Sequence, residues 1–441
     1  MSHREDKSAN GLIGESVNRL IGQETGPVSG SADQPVSRLT DSPISQSTAH
    51  AIGRSNASYP PAEVSLSIRE WIVTAVIVTA VLVILPACWN WIRPFDPPAD
   101  YRIPYQLAND YWLFDWQARQ AAADGRVMVI GDSVVWGHYV GPAETLSARL
   151  NALGGSTMVG RDESAQGPGP TPYTPLPTPH LPLFANLGVD GIHPAAMAGL
   201  VEHYGGAIRG RDVLLHCNLL WMSSPERDLS AEKEVSFNHS RLVPQFWPNL
   251  PCYREEFEQR LSIAMGNALP WMKLARHLRI ACYGGDDVPK WTMTHPYGNP
   301  LASVAARDAL ARTGPPDGAT GRTWRDRGIT AIEPEWVDCD ASFQWSRFKR
   351  TVEHLTAAGN RVFVVVGPLN EHMLKGRSLE AYRQRVAQVD KWLTEKHIPH
   401  FVPPALPSDQ YADASHPLAQ GYDNLARQLL ADQGFAAWRR K

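Results

Sequence analysis

The chain has 441 residues, 43% of them hydrophobic, enough for one large domain with appendages. Its 42 lysines and arginines nearly balance 45 aspartates and glutamates, a formal charge of −3, so the basic face that nucleic-acid binding needs is not expected. No GxxxxGK[ST] loop, CxxC pair or HExxH occurs, so nucleotide and zinc chemistry have no motif support, and neither a cofactor nor a metal is expected.

Residues 1–67 are rich in Ser, Gly, Ala, Asn and Pro, which predicts a disordered tail. Trp71 to Ile92 contains no charged residue, and a run of this length matches the apolar thickness of a bilayer. Trp71, Trp89 and Trp91 read as interfacial belts, with Arg69 and Arg93 outside them, so 68–92 is expected to be a transmembrane anchor. Basic residues in the tail favour a cytoplasmic N-terminus and a domain on the far side of the membrane. The proline-rich 93–110 reads as a stalk, and 111–441 as the main domain.

Within that domain, 111–123 reads as a helix and the apolar run Val127–Ile130 as a buried strand, followed by Gly131, Asp132 and Ser133. Helical spacing resumes over 142–150, and a proline-rich insertion covers about 160–182. Strand signals recur at 185–188, 213–216, 362–366 and 400–402, with helices expected at 194–204, 348–358 and 379–396. A closing helix spans 417–433, stopped by Gly434. Such alternation implies a parallel sheet covered by helices on both faces. Residues 219–345 interrupt it with a tryptophan-rich cap, whose rings suit either its own core or a sugar platform. If the domain lies outside the cytoplasm, two of Cys252, Cys282 and Cys339 are candidates to pair.

A serine hydroxyl attacks poorly until a base takes its proton, and the base works best when a third group orients it. Ser133 falls at the carboxyl edge of the sheet, where open α/β folds bind ligands. Much later the chain reads Asp413-Ala-Ser-His416, an acid and an imidazole three positions apart. Each residue also has an ordinary reading. Gly-Asp-Ser suits a plain turn, Asp413 a helix N-cap, Asn218 a strand end and Gly191 a turn. His216 and His193 read as structural, and Asp132 as a backbone partner in the nucleophile turn.

Four blocks in order change that balance. Val129-Ile-Gly-Asp-Ser133, Asn186-Leu-Gly-Val-Asp-Gly191, Asp212-Val-Leu-Leu-His-Cys-Asn218 and Asp413-Ala-Ser-His416 resemble the SGNH (GDSL-type) hydrolase family, from about Arg126 to the C-terminus. The resemblance implies a three-layer α/β/α fold with Ser133 as nucleophile, His416 as base and Asp413 as its orienter. It also implies an oxyanion hole of the Ser133 and Gly191 amides and the Asn218 side chain. The third block departs from the usual Gly-x-Asn-Asp: His216 and Leu219 flank Cys217-Asn218, which leaves the shape of that loop open. The implied activity is a membrane-anchored serine esterase on O-acetylated cell-surface carbohydrate or a small ester. An O-acetyltransferase and a non-catalytic glycan-binding module of an envelope polysaccharide machinery are the alternatives.

Overall fold

A computed structural model of the chain describes residues 66–93, 95, 97, 98, 100–159, 184–300 and 321–440. The tail expected over 1–67 lies almost wholly outside the described residues, as does the proline-rich insertion at 160–182.

Helix α1, Ile68–Ile92, has a mean hydropathy of 2.6 over its best window. Ile72, Val76, Ile77 and Val83 are all exposed, so it is not the core helix of a soluble domain. By length and composition it is the one helix among the described residues able to cross a membrane.

In the globular unit, α2 (Tyr111–Ala123) leads into β1 (Val127–Gly131), then the single turn α3 (Ser133–Trp136) and α4 (Leu146–Val159). β2 (Phe184–Gly188), α5 (Pro194–Tyr204) and β3 (Asp212–Cys217) follow. The insertion then contributes α6 (Phe257–Ala268), α7 (Pro270–Tyr283) and α8 (Val288–Thr294). The α/β rhythm returns with α9 (Phe343–Ala357), β4 (Arg361–Val366), α10 (Gly376–Glu395), β5 (His400–Phe401), α11 (Ala419–Ala431) and α12 (Gln433–Arg440).

All strand pairs are parallel, in the order β2-β1-β3-β4-β5. Strand side chains alternate between faces, and both faces are covered. Met128, Ile130, Val362 and Val364 join the core under α2, α5 and α9, whereas Val129, Phe363 and Val365 pack with Leu425 and Leu429 of α11. Each such side chain contributes roughly 1.5–3 kcal/mol when fully buried. The result is a three-layer α/β/α sandwich, and the chain reverses direction across the sheet between β1 and β3. Open parallel sheets bind ligands beyond the carboxyl ends of strands flanking such a switch point.

Several elements differ from expectation. The supposed stalk is packed: Tyr101, Arg102, Ile103 and Leu107 are all buried. Arg102 lies over the Trp136 ring at 4.1 Å and donates to the Gly137 carbonyl at 2.6 Å. The helix expected over 142–150 breaks at Thr145, which is extended and whose Oγ1 accepts from the Ala148 amide, so α4 starts afresh. Gly434 is not a stop but lies inside α12, because Asp432 ends α11 and its side chain caps the next helix at the Phe435 amide. All five cysteines are free thiols, so no two of the candidates Cys252, Cys282 and Cys339 are paired. Of the insertion's tryptophans, Trp324 and Trp345 are core, whereas Trp247 is 89% exposed.

Candidate active site

Gly131 ends β1 where a side chain has no room. A Cβ there would lie 2.4 Å from Val135 and 2.8 Å from His216, so the close approach of α3 and β3 requires glycine. Asp132 is the N-cap of α3, accepting from the Val134 amide at 3.0 Å. Ser133 is thereby fixed on the first turn, at the carboxyl edge of β1 and beside the switch point.

The C-terminal block folds back onto it. Asp413 does not cap a helix, since α11 begins only at Ala419. Its Oδ1 instead accepts from the Ser415 and His416 amides at 2.9 and 3.0 Å, a closed turn that presents the imidazole. His416 Nδ1 lies 2.8 Å from both Asp413 oxygens, and its Nε2 lies 2.7 Å from Ser133 Oγ. A carboxylate can only accept at Nδ1, so the proton sits there and Nε2 is bare toward the serine hydroxyl.

Asp132 is buried and Asp413 half-buried, and both carboxylates are held down by their partners. Burial pushes Asp413 up, but the His416 charge and hydrogen bonds overcome it and hold the carboxyl well below the usual range. Burial likewise opposes charge on His416, yet Asp413 first, then Asp132 and Asp190, raise it above its ordinary value. For Asp132, burial is outweighed by the His216 imidazole and by Asn218 and Trp221, which hold it at about 2.

The Asn218 and Gly191 loops lie at the ends of the flanking strands. Asn218 Oδ1 accepts from the Leu220 amide at 3.0 Å, and Nδ2 donates to Asp132 Oδ2 at 2.7 Å. That fixes the amide and leaves one of its two N–H groups without a partner among the described residues. His216 and Leu219 on either side of Cys217-Asn218 leave the amide anchored. His216 reaches across, with Nδ1 3.2 Å from Asp132 Oδ1 and Nε2 donating to the Gly367 carbonyl at 2.9 Å. Gly191 sits at φ +69°, a left-handed conformation that favours glycine. Among the described residues no acceptor takes the amide N–H of Ser133 or Gly191.

Sequence reasoning treated Asp132 as a backbone partner in the turn. It is that, and it also gathers Asn218 and Trp221, whose indole N–H donates to Oδ2 at 3.0 Å. His193 caps α5, accepting from the Ala196 amide at 3.4 Å. Reasoning from sequence missed His138, whose Nδ1 is 2.6 Å from Asp190 Oδ1 and whose ring centroid is 5.5 Å from that of His416. Three imidazole–carboxylate pairs thus meet around one serine: His416 with Asp413, His216 with Asp132, and His138 with Asp190. Compared with known proteins, the chain matches no family model and no curated protein significantly.

Proposed function

We propose that this chain is a serine ester hydrolase of the SGNH type, anchored in a membrane by α1. The observation that carries the reading is the relay from Asp413 through His416 Nδ1 and Nε2 to Ser133 Oγ, with 2.8 and 2.7 Å steps. Ser133 Oγ attacks the ester carbonyl carbon while its proton passes to His416 Nε2. The tetrahedral intermediate then collapses, the C–O bond to the alcohol breaks, and His416 returns the proton to the departing oxygen. Water attacks the acyl-serine by the same route, releasing the acid and restoring Ser133.

The Ser133 and Gly191 amides and the unpartnered Asn218 N–H are the donors available to the oxyanion. A preorganised donor of this kind is worth about 3–4 kcal/mol in the transition state. Asn218→Ala is therefore expected to lower kcat by about 10²–10³-fold with little change in KM. A change below threefold in steady-state hydrolysis would remove Asn218 from the oxyanion site.

The reading is tested with full-length protein in detergent and acetate esters of phenols and sugars. Ser133-dependent turnover supports it, and turnover that persists without Ser133 refutes it. We place the domain on the far side of the membrane from the tail, acting on acylated surface carbohydrate. Ala437 is exposed on α12. Cysteine introduced there is expected to react with a membrane-impermeant maleimide in intact cells. Protection until the cells are lysed would reverse the orientation.

A further inference from the structure

We infer that His138 and Asp190 bind a second hydroxyl of the alcohol portion of the substrate, so that the site takes esters of polyols. This rests on the hydrolase reading and extends it to the leaving group. The His138 amide donates to the Ser133 carbonyl at 3.1 Å, which ties the ring to the nucleophile turn. Its Nδ1 is 2.6 Å from Asp190 Oδ1, and Asp190 is itself held. The Asp190 carbonyl accepts from His239 Nε2 at 2.8 Å, and His239 Nδ1 meets the Tyr111 hydroxyl at 3.0 Å. Tyr139 packs edge-on against both imidazoles, with centroids 4.6 Å from His138 and 5.3 Å from His416.

An Nδ1–H donated to a carboxylate leaves Nε2 with a lone pair. That Nε2 has no partner among the described residues and is not sealed from solvent, and the side chain is 10% exposed. The His138 ring centroid lies 5.5 Å from that of His416, the group that protonates the leaving alcohol. A neighbouring hydroxyl on the same alcohol supplies the donor that Nε2 lacks, and a monohydric alcohol has none to offer.

The test compares full-length wild type, His138→Ala and His138→Gln on glycerol monoacetate and ethyl acetate, which share the acyl group. The ratio of the two kcat/KM values is expected to fall about tenfold in His138→Ala, mainly through KM, as for the loss of one neutral hydrogen bond. In His138→Gln, whose Oε1 can accept, part of the ratio is expected to return. Thermal unfolding by circular dichroism identifies a variant that fails to fold, and the ratio is then read from the other. A ratio unchanged from wild type, or equal losses on both esters, overturns the inference and leaves the hydrolase standing. Wild type that turns over neither ester in a Ser133-dependent way overturns the hydrolase reading, and the inference with it.

Discussion

Ser133→Ala is expected to reduce ester turnover by about 10⁵-fold or more, to the rate the remaining oxyanion donors alone can support. The size of the effect follows from how completely the site is committed to one oxygen. Ser133 is only 8% exposed, its hydroxyl is directed at His416 Nε2, and among the described residues no second hydroxyl or thiol bonds to that nitrogen. Cys217, the nearest thiol in sequence to Asn218, is buried at the end of β3 and pushed well above its ordinary pKa, so it cannot substitute as a thiolate. The fold should survive the change, because the backbone of α3 is fixed by Asp132 and by Gly131 rather than by the serine side chain. The measurement is kcat for the soluble ester together with the unfolding midpoint. Loss of activity with loss of the fold would not count in favour of the mechanism.

Asp413→Asn is expected to cost about 10⁴-fold in kcat while leaving KM nearly unchanged. An asparagine in this position can turn its amide NH₂ toward Nδ1, which moves the imidazole proton to Nε2 and faces the serine with an N–H instead of a lone pair. The same change removes the largest influence that raises His416. In wild type the free base is needed, so activity falls as pH drops through the His416 pKa. That acidic limb should lie above about 6.5, the unperturbed value for histidine. In Asp413→Asn the residual limb should move to lower pH. A limb at or below 6.5 in wild type, or one that does not move, would separate Asp413 from the base. Asp132 and Asp190 also raise His416, so the shift is expected to be partial.

The sheet was legible because its strands are continuous apolar runs, as in Val127–Ile130 and Val362–Val366, and parallel strands buried on both faces read this way. Ser133, Asp413 and His416 were legible because each sits in a short block whose chemistry is local: an N-capped turn after a strand, and an acid three residues before an imidazole. Pairs joined only by the fold left no such trace. His138 and Asp190 are 52 positions apart, and nothing around either suggests the other. Trp221 looked like one of many insertion tryptophans, and only the return of its loop past Asp132 gives its N–H a carboxylate. The segment 101–107 was misread because a proline-rich composition outweighed the alternation of Tyr101, Ile103 and Leu107. The buried Arg102 between them is tolerated through the Trp136 face and two backbone carbonyls. Helix ends at Thr145 and Asp432 were set by side-chain capping that competes with continued helix, which apolar spacing does not report.

The most direct test asks whether His416 makes the Ser133 oxygen nucleophilic. Full-length protein treated with a fluorophosphonate and digested for mass spectrometry should carry the adduct on the peptide containing Ser133, and His416→Ala should abolish it. An adduct on another residue, or equal labelling of Ser133 without the imidazole, would contradict the account.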